Sequence, residues 1–296
     1  MKRRIFLKAS ALSAIAVSAT GFISFDGNVF VGDCETTTDI LGPFYRPGSP
    51  VRNNLVAIGE KGELIELLGK IKHQDCTTPY KHAKVELWHC DGNGVYDNSS
   101  PEFNYRGTTF SDNDGNYSFQ TVLPVPYDIG NGLTRPAHFH LMITAEGYQP
   151  LVTQLYFNGD KHIENDVYAN SESAKKRILE VSGSGKSKKV HYDVSMSKVI
   201  PADPSAIDKL LGIYVNQADK TKIKEFFKRN NSLWLKNEVF GEEYRYIGYN
   251  TFEYAGMPGG MFEKYTFEIS GSDAIKCTLN YKYGDDEKGT EEFLKA

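Results

Sequence analysis

The sequence predicts an all-β protein, an antiparallel β-sandwich followed by a second, smaller antiparallel β-domain. From Leu64 onward the chain runs in short apolar or alternating stretches, the period that lets a strand bury one face. Asp91-Gly-Asn-Gly94, Asp112-Asn-Asp-Gly115 and Ser182-Gly-Ser-Gly185 punctuate these stretches with turn-forming residues. After Pro201-Ala-Asp-Pro204 the texture changes to Tyr and Phe alternating with Lys and Glu, which marks a domain boundary.

Taken in chain order, residues 1–19 read as a targeting segment. Lys2, Arg3 and Arg4 precede Ile5-Phe6-Leu7-Lys8, and a small apolar stretch ends at Ala16-Val-Ser-Ala19. That stretch is too short to span a bilayer, so no membrane span is expected. Arg3-Arg4-x-Phe6-Leu7-Lys8 resembles a twin-arginine signal, so the expectation is export of an already folded protein to the periplasm or the outside. Removing residues 1–19 deletes four positive charges and takes the net charge from -4 to -8.

Residues 20–63 form an N-terminal arm, and residues 64–200 the β-sandwich. Strands are expected near Leu64 to Lys72, Ala83 to His89, Asn116 to Val122, Ala137 to Ala145, Leu151 to Phe157, Ile178 to Ser182 and Lys189 to Met196. Ser171 to Arg177 is briefly helical. Residues 205–296 open with a helical turn, Ser205 to Leu211, capped by Ser205. They continue as strands around Trp234, Tyr244 to Tyr249, Tyr265 to Ile269 and Lys276 to Tyr281, read as a half-open barrel. This second domain contains no histidine.

At 296 residues, 40% apolar and 24% charged, the chain is long enough for two domains with ordinary cores. A net charge of -4 with no basic run in the body excludes nucleic acid as a partner. Cys34, Cys76, Cys90 and Cys277 lack any Cys-x-x-Cys spacing, which argues against a thiolate zinc site. In an oxidising compartment a bridge is expected among Cys34, Cys76 and Cys90 rather than to Cys277, without a choice of pairing.

The chemistry concentrates between Val85 and Asp160. His138 and His140, in Arg135-Pro-Ala-His-Phe-His140, stand at i and i+2 of a strand, so both imidazoles leave the same face and can converge on a metal ion. Around them, in order, come Trp88-His-Cys-Asp-Gly-Asn-Gly-Val-Tyr96, Tyr105-Arg-Gly-Thr-Thr, Asp114-Gly-Asn-Tyr-Ser-Phe-Gln-Thr121, Leu123-Pro-Val-Pro-Tyr127 and Thr153-Gln-Leu-Tyr-Phe-Asn-Gly-Asp160. With Gly42-Pro-Phe-Tyr45 near the start, this order over roughly residues 34–195 closely resembles the intradiol ring-cleavage dioxygenases, the family of catechol 1,2-dioxygenase and protocatechuate 3,4-dioxygenase.

That resemblance implies a non-haem Fe(III) held by Tyr96, Tyr127, His138 and His140, with water or hydroxide as a fifth ligand. Ferric iron is a hard acid that favours anionic oxygen donors and pulls a phenol's pKa far below its free value near 10. The resemblance further implies a catechol bound through both hydroxyls. The bound hydroxide takes one proton and Tyr127 the other; O2 then attacks a ring carbon, and the ring opens between the hydroxylated carbons to a muconate-type dicarboxylate. Arg135 would stabilise negative charge on the reacting carbon, a task suited to a guanidinium that stays charged. Gln154 matches a supporting glutamine near that arginine. Catechol-like aromatics and O2 are thus the expected partners, with a homo-oligomer left open.

Arg106-Gly107 reads as architectural, His89 as structural, and His73, His82, His162 and His191 as surface or satisfied histidines. Two family features are missing from the expectation: the long helical dimerisation segment before the catalytic strands, and a pocket built from two different subunits. The competing readings are a non-catalytic transthyretin-like β-sandwich binding module and a copper or zinc hydrolase built on the histidine pair. A binding module has no use for the tyrosines, histidines and arginine together, and no carboxylate base adjoins the histidines for a hydrolase.

Overall fold

In the computed structural model, residues 36–296 are described except for 58, 60–61, 131, 186–187, 238–240, 256, 258–260, 271–273 and 285–286. Before them only β1 (Ala16–Ser18), β2 (Gly21–Phe25) and β3 (Phe30–Gly32) are described, a small antiparallel sheet. The rest of the expected targeting segment, and Cys34, lie outside the described residues.

Two sheets form the sandwich. The strands are β4 (Leu64–Lys72), β5 (Lys84–Trp88), β6 (Arg106–Phe110), β7 (Asn116–Val122), β8 (Tyr127–Gly130), β9 (Leu133–Arg135), β10 (His138–Thr144), β11 (Leu151–Phe157), β12 (Ile178–Leu179), β13 (Lys188–His191) and β14 (Val194–Ser195). One sheet has the order β12-β11-β10-β5-β6. In the other, β4 pairs with β7 along one edge and with β13 and then β14 along the other. β8 and β9 make a separate hairpin. β12 joins β11, and β13 and β14 join β4, in parallel, so the sandwich is not antiparallel throughout.

Alternation builds the core. In β4 the inward residues Ile65, Leu67 and Ile71 meet Phe139, Leu141 and Ile143 of β10 and Val85 and Leu87 of β5 in one apolar cluster. β10 is buried on both faces, because His138 and His140 project from the side away from this core. The arm, the segment after β5, the β8–β9 hairpin and the stretch after β11 cover that outer face.

The cover is pinned by buried arginines. Asp39 of the arm and Arg177, at the end of the 3-10 turn Glu172–Arg177, pair with both side chains fully enclosed. Arg177 also donates to the Gln154 carbonyl at 2.9 Å. The Ser171 hydroxyl caps that turn, in the stretch expected to be briefly helical. Arg106 donates to the carbonyls of Asp97 and Phe44, each at 2.7 Å, and to Asn98 Oδ1 at 2.9 Å, a bracket in keeping with its architectural reading. Cys76 is disulfide-bonded, whereas Cys90 and Cys277 are free thiols, so the bridge spares Cys277 as expected.

The second domain corrects two expectations. It is a closed barrel rather than a half-open one, with β15 (Gly212–Asn216), β16 (Ile223–Arg229), β17 (Ser232–Leu235), β18 (Glu242–Gly248), β19 (Thr251–Tyr254), β20 (Phe262–Ile269), β21 (Ile275–Lys282) and β22 (Lys288–Lys295) pairing in sequence and β15 closing onto β22. Its helix α1 (Pro204–Leu210) is capped by Asp203, not Ser205: Pro204 takes the first helical position and the Asp203 carboxylate accepts the Ser205 N–H at 2.9 Å. Tyr214, Phe226, Tyr265, Phe267 and Phe293 fill the interior. The Glu263 carboxylate accepts hydroxyls from Tyr244, Tyr265 and Tyr283 at 2.6, 3.0 and 2.5 Å.

Replacing Asp39 by Ala would strand the Arg177 charge in the interior, at a cost of about 3–5 kcal/mol. Urea unfolding of the metal-free protein should show a loss of that size with little change in the slope.

Candidate metal centre

Strand register assembles the site from the outer face of the β12–β6 sheet. His140 lies opposite Trp88 of β5 on one side and Gln154 of β11 on the other, and His138 lies opposite Tyr156. Trp88 stacks on the His140 imidazole, ring centroids 4.9 Å apart at 8°. The two imidazoles are neighbours at 4.8 Å. The strand pair thus fixes which residues face the histidines before any loop is added.

Loops bring the phenols. The turn Asp91-Gly-Asn-Gly94 is closed by Asp91 Oδ1, which accepts the N–H groups of Asn93 and Val95 at 2.8 and 2.9 Å. Gly94 adopts φ +80°, and a Cβ there would meet Tyr127 Cβ at 2.8 Å, so the two tyrosine-bearing segments can approach only past a glycine. Tyr96 stacks on Phe44 at 4.4 Å and stands 5.6 Å from the Tyr127 ring. The Tyr96 hydroxyl is 3.4 Å from His138 Nε2, and the Tyr127 ring is 5.6 Å from that imidazole. Gly42 (φ +74°) lies against His140, where a Cβ would come 3.0 Å from Cε1. All four expected ligand side chains therefore converge on one place.

Their environment suits a cation. His138 Nδ1 donates to the Pro136 carbonyl at 2.6 Å, which leaves Nε2 with its lone pair facing Tyr96. Among the described residues neither buried ring nitrogen of His140 has a hydrogen-bond partner, which costs free energy unless something else binds them. Burial, aided by the Arg135 charge, pushes His138 down to about 3 and, aided by His138 and Arg135, holds His140 well below its ordinary value, so both are neutral donors. Burial raises both phenols, and only a strong Lewis acid would ionise them here. Two neutral imidazoles and two phenols, with orphaned ring nitrogens, fit the ferric ion that the resemblance implies. Among the described residues no group of three or more His, Cys, Asp or Glu side chains could hold a metal, as expected of a site whose oxygen donors are tyrosines.

Arg135 pairs in register with Tyr127 across the β8–β9 hairpin. Its Nη2 donates to Gln154 Oε1 at 2.9 Å, which brings Gln154 to the arginine as the resemblance implies. His89 sits on the opposite face, its ring nitrogens bonded to the Cys90 carbonyl and Thr121 Oγ1, each at 2.7 Å, as a structural histidine would be. Sequence reasoning missed Asp166, Tyr156, Asp39 and Arg177, which surround Arg135 and Gln154.

A family model described as Dioxygenase matches residues 40–198, more than half of the chain. The chain belongs to the intradiol dioxygenase family. It is 33% identical over 154 residues to chlorocatechol 1,2-dioxygenase of Rhodococcus opacus, covering 44% of this chain and 60% of that protein. To catechol 1,2-dioxygenase of Candida albicans it is 34% identical over 190 residues, covering 55% of this chain and 63% of that protein. The chain thus spans about 60% of the length of these curated relatives. The crystal structure of 3-chlorocatechol 1,2-dioxygenase from Rhodococcus opacus 1CP superposes with a TM-score of 0.50 at 25% identity, over 55% of this chain and 73% of that one. Catechol 1,2-dioxygenase of Acinetobacter radioresistens, at 24% identity and a TM-score of 0.50 over 56% of this chain and 63% of that one, shares the fold. These similarities leave the barrel outside the part shared with the family model.

Substituting His140 by Gln should lower iron affinity at least about 100-fold. Because the His140 ring nitrogens make no hydrogen bond among the described residues, the metal-free variant should still fold. Iron per chain after dialysis against a chelator, beside the circular dichroism of the metal-free protein, checks both.

Proposed function

We propose that this chain is an exported non-haem Fe(III) intradiol dioxygenase that opens a catechol-type ring between its hydroxylated carbons with O2, giving a muconate-type dicarboxylate. The observation that carries the reading is the convergence of Tyr96, Tyr127, His138 and His140 beside Arg135. An Fe(III) ion bound by those four side chains would supply the Lewis acidity that ionises phenols and catechol hydroxyls.

The chain's own residues do the rest. Neutral His138 and His140 place donors without adding positive charge. Tyr127, half-buried on the hairpin, takes a substrate proton at its phenolate oxygen, while Tyr96, buried and stacked on Phe44, stays in place. Phe44, Tyr45, Trp88 and Met142 give the centre an apolar setting that strengthens every charge interaction within it. Arg135 stabilises negative charge on the ring carbon as it reacts with O2.

Export is supported by the twin-arginine-like start and by the disulfide at Cys76, which needs an oxidising compartment. Replacing both Arg3 and Arg4 by Lys should retain the protein in the cytoplasmic fraction.

Oxygen-electrode assays of the iron-loaded protein with catechol, protocatechuate and hydroxyquinol test the activity. One O2 should disappear per ring opened, with both atoms of 18O2 recovered in the product. Replacing Arg135 by Gln should keep the iron and lower kcat by about 10²–10³-fold. No uptake with any of the three would overturn the reading.

A further inference from the structure

We infer that Asp166 is the positioning residue of this site: its carboxylate locks the Arg135 guanidinium so that one Nη alone faces the substrate, and balances its charge before the reaction begins. The inference rests on the role proposed for Arg135.

The guanidinium is tied at two of its three nitrogens. Nε donates to Asp166 Oδ2, with side-chain exposures of 9% for Arg135 and 3% for Asp166. Nη2 donates to Gln154 Oε1 at 2.9 Å and reaches the Tyr156 hydroxyl at 3.4 Å. Among the described residues Nη1 has no hydrogen bond and is the donor left for a ligand. The Tyr168 ring packs on the guanidinium, 4.7 Å from Cζ to the centroid.

Asp166 is itself immobile. Its Oδ1 accepts the N–H groups of Tyr168 and Ala169 at 3.0 and 2.8 Å, so the turn that fixes the carboxylate also carries the packed tyrosine. Gln154 is held by its Nε2 donating to the Ile40 carbonyl at 3.0 Å. The same loop grips the backbone beyond Arg135: Asp160 Oδ2 accepts the Ala137 N–H at 2.7 Å, on the far side of the Pro136 carbonyl that sets the His138 tautomer. One loop thereby sets both the arginine and the first histidine.

The energetic consequence follows from charge. A lone buried guanidinium would bind the substrate anion tightly in its ground state, which does not lower the barrier. Paired with Asp166 it is neutral overall, yet its Nη1–H dipole stays aimed at charge that appears only as the ring carbon reacts, without reorganising. A merely structural ion pair would not couple to substrate charge.

Asp166→Asn keeps the Oδ1 that accepts both backbone N–H groups, removes the charge and replaces the oxygen facing Arg135 Nε by an amide nitrogen; Asp166→Glu keeps the charge and displaces it. In the iron-loaded enzyme, Asp166→Asn should retain its iron and lower kcat about 10-fold or more with KM unchanged or lower. Asp166→Glu should fall between that variant and the wild type. In the metal-free protein, isothermal titration with benzoate should show several-fold tighter binding to Asp166→Asn than to the wild type. Both effects should vanish when Arg135→Gln is already present. An unchanged kcat in Asp166→Asn, a loss carried wholly by KM, or effects that persist in the Arg135→Gln background would overturn the inference. Absence of oxygen uptake by the wild type would instead defeat the proposed activity, and the benzoate arm would still judge the pairing.

Discussion

The structure depends on one constraint, that β10 must be buried on both faces while carrying two polar rings. Phe139, Leu141 and Ile143 enter the apolar core between the sheets, and the period of two then forces His138 and His140 to the outer face. A slip of one residue would exchange histidines for core residues, so packing itself holds the donor pair in place. The outer face can be dry only if other segments cover it, and each covering segment brings a functional side chain with it. Phe44 comes with the arm, Tyr96 with the turn after β5, Tyr127 and Arg135 with the hairpin, and Asp166 with the stretch after β11.

Polar groups enclosed by such a cover must find partners. Asp39, Arg177, Tyr156, Gln154, Arg135 and Asp166 form a continuous hydrogen-bonded chain from the arm to the site. Among the described residues the nitrogens of His140, like Trp88 Nε1 and Arg177 Nη2, depart from that rule, and at the histidine a cation would restore it. The barrel stands apart from this economy of partners. It touches the sandwich through Arg245, which donates to Gln149 Oε1, and its interior is filled by its own aromatic side chains.

Much of the frame was legible because local pattern and tertiary burial agree. β4, β7 and β11 lie where alternation places them, and the histidine pair is readable because i, i+2 geometry in a strand survives any loop conformation, whereas Tyr96 and Tyr127 join it only through the family resemblance. β6 escaped because Arg106-Gly-Thr-Thr-Phe110 lacks an apolar alternation; its residues are buried by polar brackets and by the arm packed on Gly107. The β8–β9 hairpin escaped because its pairing carries a register shift between Asp128 and Gly130. Barrel closure depends on β15 meeting β22, a pairing between distant residues that no local window contains. Asp166 and Arg177 were invisible for the same reason: their ion-pair partners, Arg135 and Asp39, lie far along the chain.

The central claim, that two tyrosines and two histidines bind one ferric ion, is tested most directly by the visible absorption spectrum of the iron-loaded protein. Tyrosinate bound to Fe(III) should give a charge-transfer band absent from the metal-free protein, changed differently in Tyr96→Phe and in Tyr127→Phe and shifted by catechol. A colourless iron-loaded protein, or a band left unchanged by both substitutions, would contradict the account.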